Sequence, residues 1–524
     1  MRKALFILLL PLAAHGTASA TCAEAEQFFN SGNPAEAEKA LPVADGPKDQ
    51  PCVRLETRIL ISLGKFGEAE ASALSALKTD PSDYESALAL ARLYSWQDRF
   101  GDSAAFYDKA ITLEPADYQP ELEKARVLAW DKRYPASDKA YAAAFTKAGL
   151  DWIKEEQLGK EKMRGARPEQ ALAHFEKAVA LEPAEAEALF DLAQFYSNSG
   201  LYSKAEQYYK KLAEVSPYNT AANRSREKNA AFGDGYAVRA GVSLWNADGA
   251  DRMTGVKYLN SSLSAEKHLS PSLLLSLVGA HGRYSFSGAA PLDEKAGRLS
   301  LEYRPAFSSG AGASYSAKSL NRPPASREDY NLFYWRKLRE NLTGAVTYSR
   351  ENFINSRAVF ARNLDLDALK GRLDWDANGS LSAGADYRAG HINDGNGLEL
   401  YGADARYYFS REPSALYAQF RYERQNYDKT SALYFAPAAY DLYALTAGYK
   451  LNFGPDGLYY GARGDYFEAK CRAAYDNSPY LSFNPSLLLN VGLRGTLNFQ
   501  AAYSLTVSHY YRDNYYSLSA VKAF

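Results

Sequence analysis

The chain has 524 residues, more than one compact domain of ~100–200 residues would hold. Lys and Arg number 61 against 62 Asp and Glu, which excludes the charge excess of a nucleic-acid binder. Forty tyrosines and 24 phenylalanines at a mean hydropathy of −0.41 fit neither a helical membrane protein nor an ordinary enzyme.

Residues 1–20 read as a secretory signal peptide. Arg2 and Lys3 precede an apolar run from Ala4 to Ala14, and Ala18-Ser19-Ala20 supplies the small-residue cleavage site. The run is shorter than the ~20 residues of a spanning helix, and no later stretch is long and apolar enough. An exported chain is permitted disulfides, so Cys22 and Cys52 are the candidate bridge and Cys471 is left single. The cysteines and six histidines form no CxxC or HxxxH, so no metal site or cofactor is expected.

Residues 21–230 repeat every 34 residues. Ala91 to Phe100, with Trp96, is echoed by Ala125 to Tyr134, with Trp130. Small residues stand in register at Ala35, Ala69, Ser103, Ser137, Ala171 and Ala205, and helix-ending residues at Pro47, Pro81, Pro115, Gly149, Pro183 and Pro217. Small residues let paired helices approach closely, and proline ends a helix because it has no N–H. This pattern resembles the tetratricopeptide repeat, an α-solenoid of stacked helical hairpins. Five copies are good, and the one at 16–47 is degenerate. Trp96 and Trp130 are expected to pack between helices.

From residue 234 to 524 the period changes to two. Leu416, Ala418, Phe420 and Tyr422 alternate with Tyr417, Gln419, Arg421 and Glu423, and 29 of the 40 tyrosines lie in this half. Segments of about ten residues with one apolar and one polar face predict an antiparallel transmembrane β-barrel with aromatic girdles. Sixteen strands is the expectation, and fourteen lies within the boundary error of ~2–4 residues. Connections alternate: short near Ser270, Ser308, Asn341, Asn378, Glu412, Gly454–Gly457 and Gly495, long at 286–294, 319–328, 352–363, 427–438 and 471–483. An even count places both barrel ends on the side of the repeats. The whole is an α + β multidomain chain.

With Leu, Ala and Tyr facing lipid, the lumen-facing candidates are Glu302, Arg304, Arg372, Asp374, Asp386, Arg388, Asp404, Arg406, Arg421, Glu423, Arg463 and Asp465. Opposite charges two residues apart either pair across strands or form a hydrated track for a neutral or weakly charged polymer. No nucleophile elbow, Walker loop or metalloprotease motif is present, and Asp365 and Asp367 on one strand make a poor carboxylate dyad. No enzyme is expected.

A signal peptide, these repeats and a barrel ending on Phe524 resemble the outer-membrane exporters of exopolysaccharide systems, such as cellulose and poly-N-acetylglucosamine exporters. The stretch with Tyr434, Phe435, Pro437 and Tyr440 is similar to a Tyr-Phe-x-Pro-x-x-Tyr motif of those barrels, with Ala436 where Ser is usual. The resemblance implies an export porin for a secreted polysaccharide, anchored in outer-membrane lipid, assembled by the barrel assembly machinery through a terminal Phe, with periplasmic repeats recruiting polymer or protein partners. A surface-lipoprotein translocator of fourteen strands and a non-transporting scaffold or receptor with a plugged lumen are the alternatives.

Overall fold

The computed structural model describes residues 22–524 apart from 43–48, 98, 166, 217–219, 250–254, 287–289, 322–323, 353–362, 378, 412–413, 454–464, 478–479, 493–495 and 509–510. The signal-peptide segment, Pro47, Pro217 and Arg463 therefore lie outside the described residues. The chain divides into two compact units, Met1–Gly149 and Leu150–Phe524.

The first unit is a run of helical hairpins: α1 (Ala23–Asn30) with α2 (Pro34–Ala40), α3 (Gln50–Ser62) with α4 (Phe66–Thr79), α5 (Tyr84–Trp96) with α6 (Phe100–Leu113), and α7 (Gln119–Trp130) with α8 (Tyr134–Ala148). The 34-residue period has a repeated contact behind it. Ser103 and Ser137 are fully buried, and their hydroxyls donate to the carbonyls of Ala91 and Ala125, 2.7 Å each. A larger residue there would push the two helices of a hairpin apart. Gly149 takes the proline register by another route, ending α8 in a left-handed turn at φ 65°.

The first copy departs from the register. α2 begins at Pro34, so Ala37 rather than Ala35 is the residue buried against its neighbour, and Ala35 is exposed. Cys22 and Cys52 are joined by a disulfide with Cα atoms 5.5 Å apart, tying the start of α1 to α3. Trp96 is 43 % exposed beside Phe66, and Trp130 lies 6.5 Å from Phe100, the same pair one period on.

The second unit opens with α9 (Asp151–Arg164), α10 (Pro168–Leu181), α11 (Ala186–Asn198), α12 (Tyr202–Val215) and α13 (Thr220–Gly233). Phe175 of α10 is fully buried, and Gly159 of α9 makes room for it: a Cβ at 159 would collide with the phenyl ring. Gly159→Ala should therefore destabilise these helices by about 1–3 kcal/mol, the cost of overpacking a filled core. The check is the thermal midpoint of the helical circular-dichroism signal, with Gly101→Ala, which meets open space, as control.

Sixteen antiparallel strands follow and close on themselves: β1 (Tyr236–Gly249), β2 (Val256–Ser270), β3 (Leu273–Phe286), β4 (Leu292–Ala306), β5 (Ser309–Asn321), β6 (Pro324–Arg339), β7 (Leu342–Asn352), β8 (Asp365–Asp376), β9 (Leu381–Ile392), β10 (Asn396–Ser410), β11 (Ser414–Tyr427), β12 (Tyr440–Asn452), β13 (Tyr466–Asp476), β14 (Leu481–Gly492), β15 (Leu497–Val507) and β16 (Tyr511–Ala523). Each strand pairs with its sequence neighbours, and β1 pairs with β16 from Ala237–Ala523 to Gly249–Tyr511. Phe524 completes the seam: its N–H donates to the Tyr236 carbonyl and its ring stacks on Tyr236.

Several connections differ from the expectation. Strands extend into the described parts of 286–294, 319–328 and 471–483, where polar residues stand opposite across the hairpins, as Asp293 does with Arg283 and Arg327 with Lys318. Polar composition in those parts marks strand ends. The turns expected at Gly454–Gly457 and Gly495 lie outside the described residues. The β11–β12 loop, 428–439, is long as expected.

Candidate functional site

The outer surface of the barrel is apolar where water would not tolerate it. Leu263, Leu369, Leu445 and Leu518 are each more than half exposed along its middle. Tyr303, Tyr334, Tyr407 and Tyr449 ring the end next to the helices. At the far end tyrosines meet in cross-strand pairs, Tyr330–Tyr348, Tyr387–Tyr401, Tyr422–Tyr443 and Tyr503–Tyr516, with centroids 5.0–5.9 Å apart. The hydroxyls of Tyr387 and Tyr401 both donate to Glu399, and that of Tyr422 to Asp441. An aliphatic band between two aromatic girdles is the exterior of a membrane-spanning barrel. Among the described residues no helix is long and apolar enough to cross a membrane.

Inside, β8 to β11 carry an ion lattice. Asp386, whose side chain is 1 % exposed, accepts from Arg372 (2.9 Å) and Arg421 (3.1 Å), and Lys370 lies 3.6 Å away. Asp404 accepts from the same two guanidiniums at 3.1 and 3.2 Å. Arg372 also bonds Asp374, and Arg421 bonds Glu423. Two of these bridges skip a strand, and glycine explains how. Arg372 of β8 reaches Asp404 of β10 over Gly384 of β9, and Arg421 of β11 reaches Asp386 of β9 over Gly402 of β10. A Cβ at either glycine would run into the guanidinium crossing it.

The other sequence candidates find different partners. Arg388 bonds Glu351 of β7 at 2.9 Å rather than Asp386. Arg406 donates to Gln419 and lies 5.0 Å from the Tyr417 ring rather than pairing with Asp404. Glu302 and Arg304 bond each other at 2.9 Å at the helical end of β4. Asp465 accepts from the Gly492 N–H beside β13 and joins no lattice. Asp365 and Asp367 are held by Asn352 and Arg350. Across the barrel the wall changes character: Asn484, Ser486, Asn490, Gln500, Ser504, Ser517 and Ser519 share one face of β14–β16, mostly amides and hydroxyls, with Asp513 the charged member toward the far end.

At the far end the β11–β12 loop turns into the barrel. Tyr434 and Ala436 are buried against Leu366, Ala368, Ile392, Leu398 and Tyr427, all lumen-side residues of β8–β11. The Tyr434 hydroxyl donates to Asp394 at 2.9 Å and accepts from Asn396 at 3.0 Å, while the Tyr427 N–H donates to the Pro437 carbonyl. Tyr440 donates to Asp476, and Phe435 stays exposed with its ring edge-on to Tyr440.

At the near end the last helices meet the strand turns. Phe195 of α11 packs on Phe307 at 5.3 Å, Arg304 donates to the Ser199 carbonyl, Tyr202 of α12 meets His268, and Lys337 of β6 pairs with Glu169 of α10. Within these helices Lys160 is fully buried among Glu156, Glu187 and Asp191, 2.7 Å from Glu187 and 2.8 Å from Asp191. Burial opposes charge on every member. Lys160 nevertheless has its pKa raised, because Asp191, Glu187 and Glu156 outweigh its desolvation. Burial and the two glutamates push Asp191 up to about 7 against the pull of Lys160. The three carboxylates lie within 4.8 Å of one another, a spacing suited to a cation, and the ammonium is already there.

Residues 56–120 and 164–224 match models of the tetratricopeptide repeat. The chain therefore joins tetratricopeptide repeats to a closed sixteen-strand barrel. No curated protein matches the sequence. Among solved structures it is similar to a bacterial polysaccharide outer membrane secretin at 12% identity and a TM-score of 0.45, covering 56% of this chain and 99% of that one. It is also similar to pilF of Pseudomonas aeruginosa (21% identity, TM-score 0.26, 34% and 82% covered) and to YrrB, a TPR protein with an unusual peptide-binding site (14%, 0.24, 40% and 100%).

Proposed function

We propose that this chain is an outer-membrane conduit for a secreted polysaccharide, with its repeats on the periplasmic side receiving the polymer or the proteins that deliver it. The observation that carries the reading is the lumen wall. On β8–β11 Arg372 and Arg421 are matched by Asp386 and Asp404, and the opposite side of the wall offers amides and hydroxyls. A wall of this kind hydrogen-bonds a neutral hydroxyl-rich chain without holding an ion tightly. A sixteen-strand barrel is wide enough to leave an aqueous channel. The β1–β16 seam is paired along its length, which argues against a barrel that opens sideways to release a protein into the membrane.

Transport through such a channel needs no catalytic group: the conduit supplies a path, and synthesis elsewhere supplies the force. The direct test is deletion of the gene in its host. Surface polysaccharide should fall to background, with polymer retained in the periplasm, and the wild-type gene should restore it. Unchanged surface polymer in the deletion strain overturns the reading.

A further inference from the structure

We propose that Trp335 and Phe333 form a sugar-stacking subsite at the helical mouth of the lumen; the inference rests on the export reading and names where the polymer is first held. Both residues lie on β6 at consecutive inward positions, opposite Gly310 and Gly312 of β5. A Cβ on Gly310 would come within 2.6 Å of the indole Nε1 of Trp335, and one on Gly312 within 2.5 Å of the Phe333 ring. Each ring therefore lies down against backbone, one face on the barrel wall and the other toward the lumen. Alternate residues of a strand are roughly 6.7 Å apart, so the two rings make a short ladder along the path of a passing chain.

Among the described barrel residues the same ring-on-glycine arrangement occurs twice more, and there the open face is covered. Tyr258 lies over Gly282 but carries Tyr284 stacked at 4.1 Å. Tyr417 lies over Gly448 but is 5 % exposed, closed in by Arg406 and Tyr408. Trp335 and Phe333 are half-buried, and among the described residues no other ring stacks on either. Polar groups flank the ladder. The Arg304 guanidinium is 5.9 Å from the Trp335 centroid, and its Nε is a buried donor without a partner. Arg304 also lines a polar cavity of about 120 Å³ with Asn198, Tyr202 and Lys228 of α11–α13. Arg304 is thus shared between that cavity and the neighbourhood of Trp335. Aromatic faces flanked by donors suit the C–H face and hydroxyls of a neutral pyranose, the ligand class assigned here.

The test uses full-length protein in detergent, titrated calorimetrically with cellohexaose, chitohexaose and maltohexaose. At least one should bind. Trp335→Leu and Phe333→Leu, which keep apolar bulk but remove the π face, should each weaken it about tenfold, ~1.4 kcal/mol. Trp335→Phe should keep most of the affinity, and Gly310→Ala should lower it by lifting the indole off the wall. Resistance of each folded variant to unfolding in the gel-shift assay shows that the barrel is intact. Leucine variants that bind as the wild type does overturn the subsite. So does wild-type protein that restores surface polymer yet binds none of the three, an outcome that leaves the export reading standing.

Discussion

Asp386→Ala should be the most damaging single substitution in the barrel. The carboxylate is 1 % exposed and accepts from two guanidiniums that reach it from opposite sides, one across a hairpin and one over Gly402. Removing it leaves Arg372 and Arg421 partly buried with Asp404 as their one shared acceptor, beside Asp374 and Glu423. Breaking a buried pair by deleting one partner costs about 3–5 kcal/mol, because the surviving charge keeps its desolvation penalty. The thermal unfolding midpoint of the detergent-solubilised barrel should drop accordingly. Asp374→Ala, at a carboxylate 49 % exposed, should cost only about 0–1 kcal/mol. The same substitution leaves surplus positive charge in the lumen, so single-channel recordings should shift toward anions. An Asp386→Ala barrel with wild-type stability and selectivity would show that the lattice neither stiffens nor neutralises the wall.

That lattice marks how far the sequence could be read. Asp386, Arg388, Asp404 and Arg421 stand out as one polar face because a strand alternates every two residues, and Asp386, Asp404 and Arg421 share one lattice in the structure. Their partners depend on register between strands, which alternation along one strand does not encode. Arg388 accordingly bonds Glu351, and Arg406 turns to Gln419. The glycines that let a side chain cross a strand look, in sequence, like ordinary small residues of the polar face. Gly384 and Gly402 acquire meaning only beside the guanidinium that passes over them. Trp335 and Phe333 were hidden for the same reason.

The helices show the opposite balance. Because each unit repeats the same contacts between its paired helices, a 34-residue spacing is close to a contact map, and Tyr107, Tyr141, Phe175 and Tyr209 are all fully buried one period apart. Ala35 fails because α2 starts two residues late against the period, an offset that shows only when the helix start is known. Lys160 was missed although it stands two periods after Arg92, which bonds Glu123 at 2.6 Å just as Lys160 bonds Asp191. The difference is burial: Arg92 keeps contact with water, whereas at Lys160 the aromatic position beside it is Phe175, with no hydroxyl to share the acceptor that Tyr107 shares at Glu123.

The buried cluster around Lys160 should make this part of the protein less stable as pH rises, the reverse of the usual carboxylate. Asp191 is pushed up to about 7 in the folded state, first by burial and then by Glu187 and Glu156, against ~3.9 in an unfolded chain. Between those values the folded state binds a proton that the unfolded state releases, so stability falls with pH. The contribution is fully present below about pH 4 and is lost as pH rises through about 7, on the order of 2–4 kcal/mol. Lys160 adds nothing in that window, because its raised pKa keeps it charged on both sides of it. Protection of the amides across α9–α11, taken against the intrinsic exchange rate at the same pH, should be higher at pH 5.5 than at pH 8. Asp191→Asn, which keeps the shape and cannot ionise, should flatten the difference. Lys160→Met should do the most harm, and more at pH 8 than at pH 5.5, since it removes the ammonium that bonds both Glu187 and Asp191. Protection that rises with pH in the wild type, or a pH slope surviving in Asp191→Asn, would place the titrating proton elsewhere.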